Sequence, residues 1–360
     1  MYTEDVSLLV CPRTGNSLEI AEIAKSASDG ELLEATLRTS DGTHTYAVRN
    51  GIPRFVDDIG YNPTWDFKWR VLDGGRGLNY RIIDKSDPAY QIHDLFDRNA
   101  HGGGAYEHGR GGVALDVGCG VGQYSVRLLQ DYGPSKLISF DLTGGVDVFR
   151  KVVEERYPEL KRRLLIVQAD IFAMPFKKES FDLVFSLGVL MHTGDTRRAV
   201  GNILDLVKPQ GHVNFWIYGS EPVAYAVSEP SRGFVLNMRT ITEIQTRFRR
   251  VQWWIRLFRN RLPHAWTVNI LRFMSSDFMY RLVKRPRWRW LYQWFPTVDH
   301  PDAAYRLINN YDGYVNKWSD SWSEGEIFPL LRDRGFVIRG LSEWRLGFWC
   351  SKDPGFYAEK

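Results

Sequence analysis

The sequence predicts an α/β fold, a seven-stranded and mostly parallel sheet with helices on both faces, together with a small N-terminal β-rich module and a helical insert. Three observations predict it. From Val113 onward, short apolar runs alternate with helix-period stretches, the pattern of βαβ units. The first of these runs ends in a glycine-rich turn that leads into a helix, Asp116-Val117-Gly118-Cys119-Gly120-Val121-Gly122. The alternation stops near residue 219 and resumes near 323, an interval too long for a loop.

Taken in order, residues 1–57 form the β-rich module. Leu32–Arg38 and His44–Arg49 read as strands around the turn Ser40-Asp41-Gly42, and Asn50-Gly51-Ile52-Pro53 closes the module with a further turn. Residues 58–110 are a linker and covering segment with an aromatic patch (Trp65, Phe67, Trp69) and a glycine loop at Gly102-Gly103-Gly104. The core occupies 111–218. Its strands are Val113–Val117, Leu137–Phe140, Leu164–Val167, Leu183–Phe185 and Val213–Ile217, with helices over Tyr124–Gln130, 146–156 and 196–207. Strands that are apolar throughout belong to a sheet covered on both faces. The insert spans 219–320. The core ends over 321–360 with a helix at Glu324–Arg334 and strands at Val337–Leu341 and Trp344–Cys350.

Composition excludes several classes. The 360 residues are 44% hydrophobic and 25% charged, which rules out a disordered or collagen-like chain. No apolar run approaches the roughly 18–20 residues of a membrane span. The start, Met1–Val10, is acidic and lacks the basic n-region of a signal peptide. Cys11, Cys119 and Cys350 are odd in number and far apart, which argues against a disulfide framework and predicts a reducing, cytoplasmic location.

The glycine turn carries the chemistry. Glycines let a backbone turn sharply and approach a ligand closely. Asp141 follows Gly122 by 19 residues at the end of the second core strand, where a carboxylate accepts from both ribose hydroxyls. The dinucleotide fingerprint G-x-G-x-x-G is not met, because Gln123 stands at its last glycine. Asp116, just before the loop, is poorly placed beside a pyrophosphate and well placed beside an ammonium group. The loop therefore suits a nucleoside that carries an amino acid.

Asp116–Gly122 resembles the S-adenosylmethionine loop of class I methyltransferases. The resemblance continues through Gln168–Phe176, Ser180–Ser186, Leu187–Thr193 and Leu206–Gly211, with Met191 in place of a family His and Gln210 in place of a Gly. It implies a Rossmann-like methyltransferase with S-adenosyl-L-methionine as cofactor. It further implies that Gly118 and Gly120 pass the methionine part, with Asp116 on its amino group and Gly122 also in the cofactor-binding loop. Asp141 would hold the ribose, Leu142 would lie on the adenine, Asp170 would accept the adenine amino group, and Ile171 would pack on the ring. Leu187 and Gly188 would flank the sulfonium. A helix N-cap is the alternative for Asp170. His192, just past the fourth strand, has the unperturbed pKa of about 6.5 that suits a general base; shaping the pocket is its alternative. Asp299, His300, Tyr311, Asp312 and Tyr314 lie at the end of the insert, and Tyr311, Tyr314 and His300 are the expected acceptor-binding residues.

Val10–Gly15 and Tyr46–Val56 look like the small zinc-ribbon-like domain of methyltransferase activators. Thr14 stands where the second cysteine belongs, so no metal is expected, and the module reads as a packing or dimerisation element. Tyr61–Trp69 resembles the aromatic segment that covers the cofactor in this subgroup.

The net charge of +4 conceals its distribution. Residues 239–290 hold 13 Arg/Lys against Glu243 and Asp277, a net +11, which leaves −7 for the rest. Six of the 13 Trp fall between Trp253 and Trp294. Val251, Trp254, Ile255, Phe258 and Leu262 form one helical stripe, and Leu271, Met274, Phe278 and Leu282 a second. Three readings stay open: helices packed on the core with arginines in solvent, a cap that meets an anionic membrane or lipid-linked acceptor through 239–295 (a peripheral location), or nucleic-acid binding. The expected activity is methyl transfer to a small-molecule acceptor, O-methylation of a sugar, polyketide or lipid-linked metabolite of natural product biosynthesis. RNA or protein methylation, and a cofactor-binding scaffold or rearrangement catalyst, are the alternatives.

Overall fold

The computed structural model describes residues 1–56, 63–87, 89, 95–99, 104–219, 262–288, 298–315, 320–342 and 347–353. The predicted stripe at Val251–Leu262 falls almost wholly outside the described residues, as do Gly102-Gly103 and the aromatic run after Trp288.

The N-terminal module is a four-stranded antiparallel meander: β1 (Leu18–Ser26), β2 (Leu32–Thr39), β3 (Thr45–Arg49) and β4 (Ile52–Pro53). Strand β1 has no counterpart among the predicted elements. Its residues, Leu-Glu-Ile-Ala-Glu-Ile-Ala-Lys-Ser, are mostly good helix formers, and pairing with β2 overrides that preference. It is an exposed edge strand, broken by bulges and studded with Glu19, Glu22 and Lys25, which discourages further pairing.

The core sheet has seven strands: β5 (Val113–Val117), β6 (Lys136–Asp141), β7 (Leu164–Gln168), β8 (Phe181–Leu187), β9 (Val207–Trp216), β10 (Phe336–Leu341) and β11 (Gly347–Lys352). Their order is β10-β11-β9-β8-β5-β6-β7, parallel from β9 to β7, with β10 and β11 antiparallel. Leu115, Val117, Ile138, Leu165, Val184 and Phe185 are buried, as the unbroken apolar runs require; each such side chain contributes roughly 1.5–3 kcal/mol. The order reverses between β6 and β8 on either side of β5, and ligands bind at such a switch point. The glycine turn follows β5 and so stands there.

Helices α1 (Gln123–Asp131), α2 (Gly145–Arg156) and α3 (Thr196–Asp205) separate the parallel strands. Asp195 caps α3 by accepting from the Arg198 N–H, which starts the helix where predicted. Strand β9 begins six residues before the predicted Val213 and takes in Lys208–Gly211. Gln210 lies there at φ 65°, a left-handed conformation that a family glycine would adopt at no steric cost.

The described part of the insert contains α4 (His264–Met274), α5 (Asp277–Lys284) and α6 (Ala303–Val315); α7 (Glu324–Arg332) returns to the core. The predicted stripe Leu271–Leu282 is divided between α4 and α5, because Ser276 caps α5 by accepting from the Met279 N–H. Leu271 and Met274 are buried, but on α5 the buried residue is Val283 and Phe278 faces solvent.

The β-module is fused to the β7 side of the sheet. The Arg54 guanidinium donates to Asp147 and, at 2.8 Å, to Gln168, and the Val10 N–H donates to the Pro175 carbonyl at 2.9 Å. Glu31 is buried against Arg150 and Lys161 of the core.

A histidine pair marks the other side. His108 stacks on His212 of β9, with ring centroids 3.4 Å apart and planes 9° apart, and the Trp349 indole N–H donates to His212 Nδ1 at 3.0 Å. Burial, the neighbouring His108 and Arg339 push His212 down to about 4. The unfolded chain, at 6.5, then binds a proton that the fold refuses. The pair's contribution is complete above about pH 6.5 and is lost as the pH falls toward 4. Discounted for partial exposure, the loss is about 1–2 kcal/mol. Thermal melts across that window should show it, and His212→Gln should flatten the slope.

Candidate active site

Asp116, at the end of β5, is wholly buried. Its carboxylate accepts from Ser125 Oγ at 2.5 Å, and Ser125 Oγ lies 2.9 Å from Ser139 Oγ. Desolvation pushes Asp116 up to about 7, against the Ser125 hydrogen bond and with help from the Asp141 charge. Among the described residues no cationic side chain lies within ion-pair distance of it.

The turn itself needs glycine. Gly118, Gly120 and Gly122 have φ of 76, 56 and 82°. A Cβ on Gly118 would stand 2.3 Å from Val189 Cγ1, and one on Gly122 would stand 2.2 Å from the buried Phe149 ring. The Gly120 N–H donates to Asp141 Oδ2 at 2.9 Å, while Asp141 Oδ1 accepts from the Thr143 N–H and hydroxyl at 2.9 and 2.8 Å. Desolvation raises Asp141 against these hydrogen bonds. Gln123 Oε1, at the start of α1, is a buried acceptor with no donor among the described residues.

The other predicted nucleoside residues line the ends of neighbouring strands. The Leu142 carbonyl accepts from Gln168 Nε2 at 3.1 Å. Asp170 follows β7, and its Oδ1 caps a tight turn by accepting from the Phe172 N–H at 2.8 Å. The Ile171 carbonyl accepts from Asn202 at 2.9 Å. Leu187 ends β8, and Gly188 turns away at φ 75°.

A second layer closes over the loop. Pro63–Asp66 is a helical turn that widens into a π-helix, Phe67–Asp73, a form often found at functional sites. Trp69 from this segment packs on the loop, where a Cβ on Gly120 would meet its ring at 3.1 Å and one on Gly145 at 2.9 Å. Asp66 Oδ1 accepts from the Gly144 N–H at 2.8 Å. Trp65 stacks on Trp69 and leans on His192, their ring centroids 5.9 and 5.5 Å apart. The buried Lys68 ammonium lies 4.7 and 4.2 Å from the two indole centroids and 2.9 Å from Asp312 Oδ2 of α6.

His192 ends the short 3-10 turn Leu190–His192 and meets Tyr218 edge to face at 5.3 Å. Burial and the Asp312 charge push the Tyr218 hydroxyl pKa up. Tyr311 of α6 is buried; its hydroxyl lies 2.9 Å from His264 Nε2, with Phe67 against both rings. Tyr314, a turn later, is half-buried. His300 is held elsewhere, at the start of α6, where Nε2 lies 2.9 Å from Asp87 Oδ1 and Nδ1 accepts from the Asp302 N–H at 3.0 Å. Asp299 pairs with Lys284 and Tyr280 on α5.

The structure thus gathers the glycine turn, Asp116 and Asp141 into one cluster, and Trp69 joins it to a second containing His192, Trp65, Lys68, Asp312, Tyr218 and Tyr311. Lys68, Tyr218, His264 and Gln123 were not among the predicted site residues. No local signal marks Lys68, whose partner is 244 residues away.

Residues 115–215 match a family profile described as a methyltransferase domain. A malonyl-[acyl-carrier protein] O-methyltransferase of Methylovorus sp. (strain MP688) is 34% identical over 115 residues, 30% of this chain and 38% of that protein. A demethylmenaquinone methyltransferase of Lactococcus lactis is 32% identical over 101 residues, 28% of this chain and 39% of that one. These matches span little more than a third of the relatives' length. Among solved structures, a Haemonchus contortus phosphoethanolamine N-methyltransferase 2 complex covers 81% of this chain and 60% of its own, at 17% identity and a TM-score of 0.37. Residues 115–215 thus carry a methyltransferase domain.

Proposed function

We propose that the protein transfers a methyl group from S-adenosylmethionine to a small-molecule acceptor, with oxygen as the acceptor atom and a sugar, polyketide or lipid-linked metabolite as the acceptor class. The observation that carries this is Asp116. It is a buried carboxyl raised to about 7, with no cationic partner among the described residues, at the switch point of the sheet. An ammonium group satisfies this carboxylate, as a pyrophosphate does not. The residues therefore fit the cofactor, which supplies an electrophilic methyl group when bound.

The chain's own residues do the rest. Asp116 takes the amino group, and Asp141 takes the ribose. Leu142, Asp170 and Ile171 hold the adenine. Leu187 and Gly188 stand beside the reacting centre, and Trp69 excludes water from above. His192 removes the acceptor proton, with Trp65 and Tyr218 fixing its ring. Tyr311 and Tyr314 line the acceptor side, while His300 anchors the helix that carries them.

His192→Ala should lower turnover by about 10²–10⁴-fold and leave S-adenosylhomocysteine affinity within about threefold. A screen for products 14 Da heavier identifies the acceptor for that assay. Full turnover in the variant, with an unshifted pH profile, would remove His192 from the mechanism.

A further inference from the structure

Helix α4 is apolar on two sides. Val268, Leu271 and Met274 are buried, and α4 packs on α6. Trp266, Ile270 and Phe273 recur at i, i+4 and i+7 on the opposite side and are 63, 44 and 58% exposed. Phe278 on α5 adds a fourth exposed apolar side chain at 65%. Scattered apolar residues on a surface need no explanation, but a stripe along one helix face does. The stripe is held rigidly. Arg306 of α6 is wholly buried; its guanidinium donates to the carbonyls of Ser275, His300 and Pro301 and to the Asp277 carboxylate, which locks α4, α5 and α6 together.

Cations accompany it along the sequence. Arg272, Arg281, Arg285 and Arg287 are exposed, and no carboxylate among the described residues lies at ion-pair distance from any of them. Of the neighbouring basic groups Lys284 is paired, with Asp299. We propose that this face docks on an anionic lipid bilayer. Trp266, Ile270, Phe273 and Phe278 enter the headgroup–acyl boundary while the four arginines meet lipid phosphates.

Charge complementarity selects that occupant. A second copy of the chain would bring arginines against arginines. The chain's own segment 239–262 carries seven arginines against Glu243, so it repels the same surface. RNA would satisfy the arginines but not the stripe, since Ile270 offers no ring for base stacking. An anionic bilayer satisfies both: aromatic and aliphatic side chains with flanking cations are the composition of helices that lie in the interface. No described helix is long and apolar enough to cross a membrane, so the association is with the surface.

The proposal does not depend on the methyltransferase reading, because binding is read without turnover. The full chain is mixed with vesicles of pure phosphatidylcholine, or of phosphatidylcholine with phosphatidylglycerol, and sedimented at ~100 mM and ~500 mM salt. The expected result is retention on the phosphatidylglycerol vesicles alone, weakened by salt, with a blue shift in tryptophan emission. Phe273→Glu and the pair Arg281→Ala with Arg285→Ala should each weaken retention at least tenfold with an unchanged circular dichroism spectrum. Equal binding to both vesicle types, binding to neither, or retention untouched by Phe273→Glu overturns the proposal. So does tight RNA binding that the arginine pair abolishes and Phe273→Glu spares. Dimerisation that Phe273→Glu abolishes would assign the face to a second copy.

Discussion

Glu31→Ala is expected to destabilise the protein by about 3–5 kcal/mol, a fall of roughly 10 °C in melting temperature. Glu31 belongs to the N-terminal β-module, while its partners Arg150 and Lys161 belong to the methyltransferase core. The Glu31 and Arg150 side chains are 2 and 6% exposed. The guanidinium forks onto both carboxylate oxygens, with 2.8 Å to Oε2, and Lys161 Nζ lies 2.9 Å away. Truncation leaves Arg150 buried with Glu154 alone, which costs more than the intact network is worth. Arg150→Met in the Glu31→Ala background should therefore recover part of the loss.

The same network sets a pH dependence. Burial alone would raise Glu31, but hydrogen bonds from Arg150 and Lys161 outweigh it and hold the carboxyl at about 2, against 4.5 in the unfolded chain. A depressed carboxylate stabilises above its unfolded value. The contribution is complete above about pH 4.5 and is lost as the pH falls toward 2. Urea unfolding at pH 7 and at ~3 measures both effects. A loss under about 1 kcal/mol at pH 7 would show that apolar packing, and not this cluster, fixes the module to the core.

What could be read from the sequence divides along physical lines. The parallel strands β5 to β8 are legible because they are buried on both faces, so each is an apolar run that ends in a turn. The glycine turn is legible because its φ values and the closeness of Val189 and Phe149 leave no alternative residue at Gly118 and Gly122. Strand β1 is not, because its pairing with β2 overrides residues that favour a helix. The covering layer is only partly legible. The aromatic spacing at Trp65 and Trp69 is visible, but the ion pair from Lys68 to Asp312 joins segments 244 residues apart and has no local signature. The insert's charge is plain in the sequence. The division of its apolar residues between a buried and an exposed face of α4 appears only once α6 is in place to bury one of them.

Asp141→Ala is expected to lower affinity for S-adenosylmethionine and S-adenosylhomocysteine ten- to hundredfold. Two hydrogen bonds from ribose hydroxyls to a charged acceptor are worth about 1.5–3 kcal/mol each, partly offset by water in the variant, and each 1.4 kcal/mol is tenfold. The structure adds that Asp141 already works within the protein. It accepts from the Gly120 N–H and from the Thr143 N–H and hydroxyl, so it shapes the turn that the cofactor would line. Truncation thus removes a ligand contact and loosens the loop at once. Thr143→Val separates the two, since it removes the hydroxyl donor and keeps the carboxylate. If the loop role dominates, Thr143→Val weakens cofactor binding nearly as much as Asp141→Ala. If the ribose contact dominates, it costs under about threefold. Calorimetric titration of S-adenosylhomocysteine, paired with a melting curve for each variant, reads affinity and folding separately. Unchanged affinity in a folded Asp141→Ala variant would reject the ribose assignment, and with it the placement of the nucleoside along the ends of β5, β6 and β7.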